Sequence, residues 1–193
     1  MYILALEAST SAAKAVLYKK DEGIIATADE SYPEKVSDVI TQEPEEVYKI
    51  LIKCARELLQ KVDVKIEGIG LSSTWHSLLY LDSDRRPIGK TLTWANTLAA
   101  DTVQAHRQDK DLGNWLYQKT GCPIHSMYPL WKWIHMKETG MIDPKARYYL
   151  SSQPEYIYEK LTGDIGVSRS VASGTGFMNI HTLDWDDEVL DMA

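Results

Sequence analysis

Hydrophobic and polar positions divide the first third of the chain into short runs. Ile3 to Leu6 is apolar, and so is Ala15 to Tyr18, with Glu7-Ala8-Ser9-Thr10-Ser11-Ala12-Ala13-Lys14 between them. Two apolar runs joined by small and hydroxyl residues predict a β-hairpin, with Lys14 opening its second arm. "KKDEG" at 19–23 is a turn whose Gly23 can take positive φ, and "IIATADESY" at 24–32 predicts a third strand. The start of the chain therefore reads as an antiparallel meander.

The period then changes. Glu43-Pro44-Glu45-Glu46 has the acids and early proline of a helix start, and Val47, Ile50, Leu51, Cys54, Leu58 and Leu59 recur at helical spacing. "KIEGIGLSS" at 65–73 predicts a strand, and "LLYLD" at 78–82, turning at "SDRRP", another hairpin arm. Helical spacing dominates afterwards, over Ala95–Gln108, Leu112–Thr120, Pro129–Thr139 and Pro154–Leu161. "YYLSS" at 148–152 predicts a short strand, "SGTGFMNI" at 173–180 a glycine turn into a strand, and Asp184 or Asp186 the cap of a last short helix. Three strands, a crossover helix and a further strand predict an α/β domain: a mixed sheet, three strands antiparallel and the next parallel, flanked by helices. There is no internal repeat, low-complexity tract or linker, so residues 1–193 read as one domain.

Composition narrows the function. Lys plus Arg is 21 against 28 for Asp plus Glu, a net charge of −7. Without a cluster of basic residues to neutralise phosphates, a nucleic-acid partner is not expected. No apolar run reaches membrane-spanning length and no leader pattern precedes the first strand, so no membrane partner and a cytoplasmic location are expected. Cys54 falls on the apolar face of the first helix, and two cysteines do not suggest a disulfide scaffold. Six Trp and eleven Tyr accompany one Phe, a usage that suits sugar-facing surfaces and ordinary cores alike.

The first turn carries the candidate chemistry. A turn of small residues can expose backbone N–H groups as an anion-binding concavity, with hydroxyls from Thr10 and Ser11 and a cation from Lys14. Glu7 could hold Mg²⁺ through water, since Mg²⁺ keeps much of its hydration shell. The alternative is a solvated surface hairpin. His76 could hydrogen-bond a sugar hydroxyl through a ring nitrogen, or be a satisfied histidine at a strand end. Trp75 could wall a pocket or pack in the core. His106, His135 and His181 read as helix or turn residues, and no histidine pair has zinc-ligand spacing. "SGTG" at 173–176 reads as a tight turn and the acids at 184–188 as a capped helix start.

Glu7-Ala8-Ser9-Thr10-Ser11-Ala12-Ala13-Lys14 resembles the first phosphate motif of the FGGY carbohydrate kinases, Asp-x-Gly-Thr-(Thr/Ser)-x-x-(Lys/Arg), with Glu7 for Asp and Ser9 for Gly. "GIGLSSTWHSLLYLD" is similar to the family's sugar-facing strand, its pair ending in His as in xylulokinase- and gluconokinase-like members. "TLTWAN" resembles the following Trp-(Ala/Asn)-Asp element, with Asn96 for Asp. "YQKTGCPIHSMYPLWKWIHMK", "EYIYEKLTG" and "SVASGTGFMNIHTLDWDDEVLDMA" continue the match in order, and Thr-Gly-x-Pro-x-His is nearest to gluconokinases.

The resemblance implies a ribonuclease-H-like, actin-like ATPase fold, and residues 1–193 as the family's N-terminal, sugar-side domain, C-terminally incomplete and without the second ATPase domain. It implies ATP and Mg²⁺ at Glu7, Thr10, Ser11 and Lys14, with Glu7 reaching the metal through water and no direct metal ligand. It implies a small sugar or sugar acid at Trp75, His76, Trp94, Asn96 and His125. The family transfers the γ-phosphoryl of ATP to a carbohydrate hydroxyl, using an Asp base in a Gly-Asp motif that no residue here matches. No catalytic residue is therefore expected in this chain, and the chain alone is expected to be inactive. Gluconate is the favoured substrate and xylulose the alternative. A non-catalytic sugar-sensing half-kinase and a structural protein of the actin-like superfamily are the rival classes. A domain cut in this way can expose apolar surface and form homo-oligomers.

Overall fold

The computed structural model describes all of residues 1–193. Strands β1 (Tyr2–Ala8), β2 (Ala12–Lys19) and β3 (Gly23–Ser31) form the expected meander. On β1, Leu4, Leu6 and Ala8 are buried, and Ala13, Ala15 and Leu17 answer them from β2. This alternation sets the register, because a slip by one residue would turn the buried set to solvent. The register pairs Glu7 with Lys14 directly across the hairpin, on the face opposite the core.

After β4 (Thr41–Gln42) comes α1 (Pro44–Leu59), with Pro44 in its first turn followed by Glu45 and Glu46, acids that suit the positive end of the helix dipole. Its buried stripe of Val47, Leu51, Cys54, Ala55 and Leu58 lies on the meander in the largest core cluster. Fully burying each leucine contributes roughly 1.5–3 kcal/mol. The chain then returns as β5 (Gly68–Ser73), parallel to β1, giving the sheet order β3-β2-β1-β5. β5 is the one parallel strand of this sheet. Later strands build a second, antiparallel sheet of order β4-β7-β6-β8, from β6 (Leu78–Leu81), β7 (Pro87–Leu92) and β8 (Tyr148–Leu150).

Helices α2 (Ala100–His106), α3 (Lys110–Thr120) and α4 (Pro129–Glu138) gather around a second core of Leu116, Leu130, Trp131 and Ile134. α2 starts later than its apolar spacing predicts. The reason is local: Thr93 Oγ1 accepts from the Ala95 N–H and Asn96 Oδ1 from the Leu98 N–H, which holds 93–98 as a turn. α5 (Gln153–Thr162) is followed by a single helical turn, α6 (Arg169–Ala172), too short to show as a period in the sequence. A two-stranded ribbon of β9 (Met178–Asn179) and β10 (Asp184–Trp185) precedes α7 (Asp187–Met192). Asp186 caps α7 through the Val189 N–H at 3.0 Å. Burial raises its pKa, but Asn179, that N–H and Lys119 outweigh burial and hold it below the usual carboxylate value. Both cysteines are buried and free. No helix is long and apolar enough to cross a membrane.

Candidate functional site

The tip of the β1–β2 hairpin is ordered by one side chain. Ser9 Oγ donates to the Ala12 carbonyl at 3.0 Å and accepts from the N–H groups of Ala12 at 3.2 Å and Ser11 at 3.4 Å. Two amides expected to face an anion are thus engaged by the residue that stands where the family motif has glycine. Ser9 is not among the residues at positive φ, so the turn itself does not require glycine there. From outside the hairpin, Ser37 Oγ donates to the Thr10 carbonyl at 2.6 Å, and Gln42 Nε2 to the Ser9 and Thr10 carbonyls at 3.0 and 3.3 Å. Gln42 is fully buried, so the tip is held rigidly from below. Lys14 Nζ lies 3.8 Å from Glu7 Oε2 in a half-exposed pair. Such a pair contributes little stability, about 0–1 kcal/mol, and both groups remain open to a ligand.

Where β1 and β5 run side by side, their C-terminal ends reach the same place. Ser73 Oγ and the Thr74 N–H both donate to the Ala8 carbonyl, at 2.9 and 3.0 Å. This brings the loop after β5 against the hairpin tip. Between them lies a cleft of about 170 Å³ lined by Glu7, Ser9, Thr10, Ser72, Ser73, Thr74, Trp75 and Trp94. Trp94 Nε1 donates to Thr10 Oγ1 at 3.4 Å, linking an indole of the cleft to the hairpin tip in a single contact. Trp75 and Trp94 are both more than two-fifths exposed, unlike Trp131, which is buried. A larger cavity of about 710 Å³ lies around Trp133, Tyr149 and Trp185. The smaller cleft is the better candidate for a polar ligand: six of its eight lining residues are polar or charged, whereas ten of the fourteen around the larger cavity are hydrophobic.

His76 is placed with care. Its backbone is left-handed, φ +53°, an unusual conformation for a non-glycine residue. Its ring stacks on Trp75 at 4.4 Å and meets Tyr128 edge-on at 5.1 Å. Nδ1 lies 2.6 Å from the Gly174 carbonyl. A carbonyl only accepts, so Nδ1 carries the proton and Nε2 is left as an acceptor. Burial lowers the His76 pKa, the Gly174 carbonyl opposes that, and the nearby Lys132 charge lowers it further. The Trp75 indole is tied down too, Nε1 donating to the Val171 carbonyl at 2.8 Å. Gly174 has to be glycine for both rings: a Cβ there would overlap the Trp75 indole and stand 2.6 Å from His76 Cε1.

Of the expected residues, Glu7, Thr10, Trp75 and Trp94 line the cleft, and Ser11, Lys14, His76, Asn96 and His125 do not. Asn96 uses its amide locally, Nδ2 donating to the Ile40 carbonyl at 3.3 Å and Oδ1 capping Leu98. His125 Nδ1 accepts from the Met127 N–H at 3.1 Å, and its ring meets Tyr128 6.5 Å away, so it reaches His76 only through that tyrosine. Burial, then Arg107 and Lys132, lower the His125 pKa. Sequence reasoning passed over Ser9 as the capping group, Gln42 beneath the tip, Gly174 and Lys132. The last left a visible signal, a lysine between two tryptophans in "PLWKWI".

A family model described as the FGGY family of carbohydrate kinases, N-terminal domain, matches residues 2–193. Gluconokinase from Bacillus subtilis (strain 168) is 35% identical over 198 residues, an alignment that covers 100% of this chain and 38% of that protein. A crystal structure of gluconate kinase from Lactobacillus acidophilus superposes with a TM-score of 0.90 at 32% identity, over 99% of this chain and 39% of that one. A ligand-bound xylulose kinase structure from the same organism gives the same TM-score, 0.90, and identity, 32%, over the same shares, 99% and 39%. The chain thus spans about two-fifths of the length of the relatives it matches.

Proposed function

We propose a function from one premise: the chain belongs to the FGGY family of carbohydrate kinases, whose N-terminal domain it matches from residue 2 to residue 193. The proposed role is to hold a small sugar or sugar acid beside the phosphates of ATP, as the sugar-side part of a kinase. The observation that carries it is the cleft shared by the hairpin tip and the Trp75 loop, with Trp94 bonded to Thr10 across it. Trp75 offers an apolar ring face to the C–H side of a polyol, and His76 Nε2 accepts from a hydroxyl. Thr10, Ser11 and Lys14 face the other ligand.

The residues fit a nucleotide's phosphates in part. Thr10 supplies a hydroxyl and Lys14 a cation, but the Ser11 and Ala12 amides must first exchange Ser9 Oγ for phosphate oxygen. Mg²⁺, held through water by Glu7, would offset phosphate charge. What this chain contributes is position: it brings two reactants together and orients the accepting hydroxyl, which alone can remove much of the barrier of a bimolecular step. No general base is assigned among residues 1–193. A kinase of this kind would work in the cytoplasm, where ATP is available.

Gluconate is the preferred ligand, on the "TGCPIH" and "STWHS" segments, and xylulose the second. Calorimetric titration of the chain with gluconate, xylulose and ATP tests the reading. Saturable heat with one of the two sugars, abolished by His76→Ala, is the expected result. Silence with both sugars overturns it. Sugar binding without any ATP binding favours instead the sensor reading, which the Ser9 capping supports. A coupled assay of sugar-dependent ADP release should show no turnover by this chain alone.

A further inference from the structure

Lys132 is the most anomalous charged group in the molecule. It sits in the first turns of α4, fully buried, between Trp131 and Trp133. No carboxylate lies within ion-pair distance of it. Its Nζ donates to two main-chain carbonyls instead, Met127 at 2.5 Å and His76 at 3.4 Å. Burial alone pulls its pKa down to about 7. The start of a helix is also the positive end of the helix dipole, an unfavourable place for a cation. An unpaired buried ammonium costs several kcal/mol unless its donors are used, and such groups concentrate at functional sites.

The two carbonyls explain the placement. One belongs to His76 itself, whose left-handed backbone turns the imidazole towards Trp75 and Gly174. The other belongs to the loop 125–128, which carries His125 and the Tyr128 ring that meets His76 edge-on. The same helix start is anchored to the segment that holds His76 Nδ1, through the Leu130 N–H on the Thr175 carbonyl at 3.1 Å. We propose that Lys132 is a positioning residue for His76: bound to the carbonyls of His76 and Met127, it fixes the backbone twist that keeps Nδ1–H on Gly174 and leaves Nε2 as the acceptor. The value of that acceptor to a sugar rests on the function proposed above; the structural role of Lys132 does not.

The test reads the imidazole directly. In the ¹⁵N-labelled wild-type chain, with His76 assigned through His76→Gln, long-range ¹H–¹⁵N spectra should give a pyrrole-type Nδ1 and a pyridine-type Nε2. Lys132→Met should let the ring populate both tautomers while the distant β1–β3 signals stay in place. Lys132→Arg, which restores donors, should recover the single tautomer. Sugar affinity should fall about tenfold in Lys132→Met and return to within about threefold in Lys132→Arg, the scale of one charge-assisted hydrogen bond. A folded Lys132→Met chain with an unchanged tautomer overturns the proposal. Should that variant lose its fold, coupling across the hydrogen bonds between Lys132 Nζ and the carbonyl carbons of His76 and Met127 decides in the wild type, and its absence overturns the proposal. A wild-type chain that binds no sugar fails the functional reading alone, because the tautomer is measured without ligand.

Discussion

Ser9 and Gly174 set the chemistry of the site through one heavy atom each. At position 9 a hydroxyl is present where the family motif has none, and it occupies the Ser11 and Ala12 amides. Ser9→Gly should free them and tighten ATP binding severalfold in calorimetry, at a cost of about 0.5–1 kcal/mol in hairpin stability from lost capping and a looser backbone. Unchanged or weaker ATP binding would show that those amides do not face phosphate. At position 174 a methyl group is missing, and its absence lets the Trp75 and His76 rings lie where they do. Gly174→Ala should destabilise the chain by about 1–3 kcal/mol, as overpacking does, and abolish sugar binding. Retained affinity would mean the stacked pair is not the sugar wall. Little of this was legible beforehand. His76 and Thr10 stand out by type and motif, whereas a capping hydroxyl or a required glycine shows its purpose only when its neighbours, distant in sequence, are in place.

At the scale of elements, strong periods translated directly into structure. The meander, α1, α3, α4 and α5 lie close to where alternation or helical spacing puts them. What failed to show were features decided by side-chain caps and by partners far along the chain: the late start of α2, the single turn α6, and the division of the strands into two sheets. β6 illustrates the last. All four of its residues are buried and it pairs with β8, some seventy positions later by number, which no local pattern announces. Helix α5 also carries a buried acid. Glu155 accepts from the Ser151 N–H and Oγ at 2.7 and 2.8 Å, yet burial outweighs those bonds and pushes its pKa up to about 7. The folded state therefore holds the proton more tightly than the unfolded state, whose value is near the ordinary 4.5. Stability should fall as pH rises from about 4.5 to about 7, and stay flat in this respect above it, by roughly 3 kcal/mol in all. Urea unfolding of wild type and Glu155→Gln across that range should show the slope in the first and its loss in the second. Parallel pH profiles would mean that Glu155 ionises normally.

For the whole molecule, the decisive arrangement is the meeting of two chain segments more than sixty residues apart. The parallel pairing of β1 with β5 brings the first hairpin and the Trp75 loop to one end of the sheet. Family membership was legible from the order of several weak motifs, since collinear matches along a whole domain are far more specific than any one of them. The geometry between motifs was not, because sequence order carries no distances. The chain itself supplies reporters for its central claim, the indole N–H groups of Trp75 and Trp94, held by the Val171 carbonyl and by Thr10 Oγ1. Among the six tryptophans, a ¹H–¹⁵N titration with gluconate or xylulose should move these two resonances, at one midpoint, and leave that of buried Trp131 in place. Saturating shifts elsewhere in the molecule, with Trp75 and Trp94 still, would contradict the account.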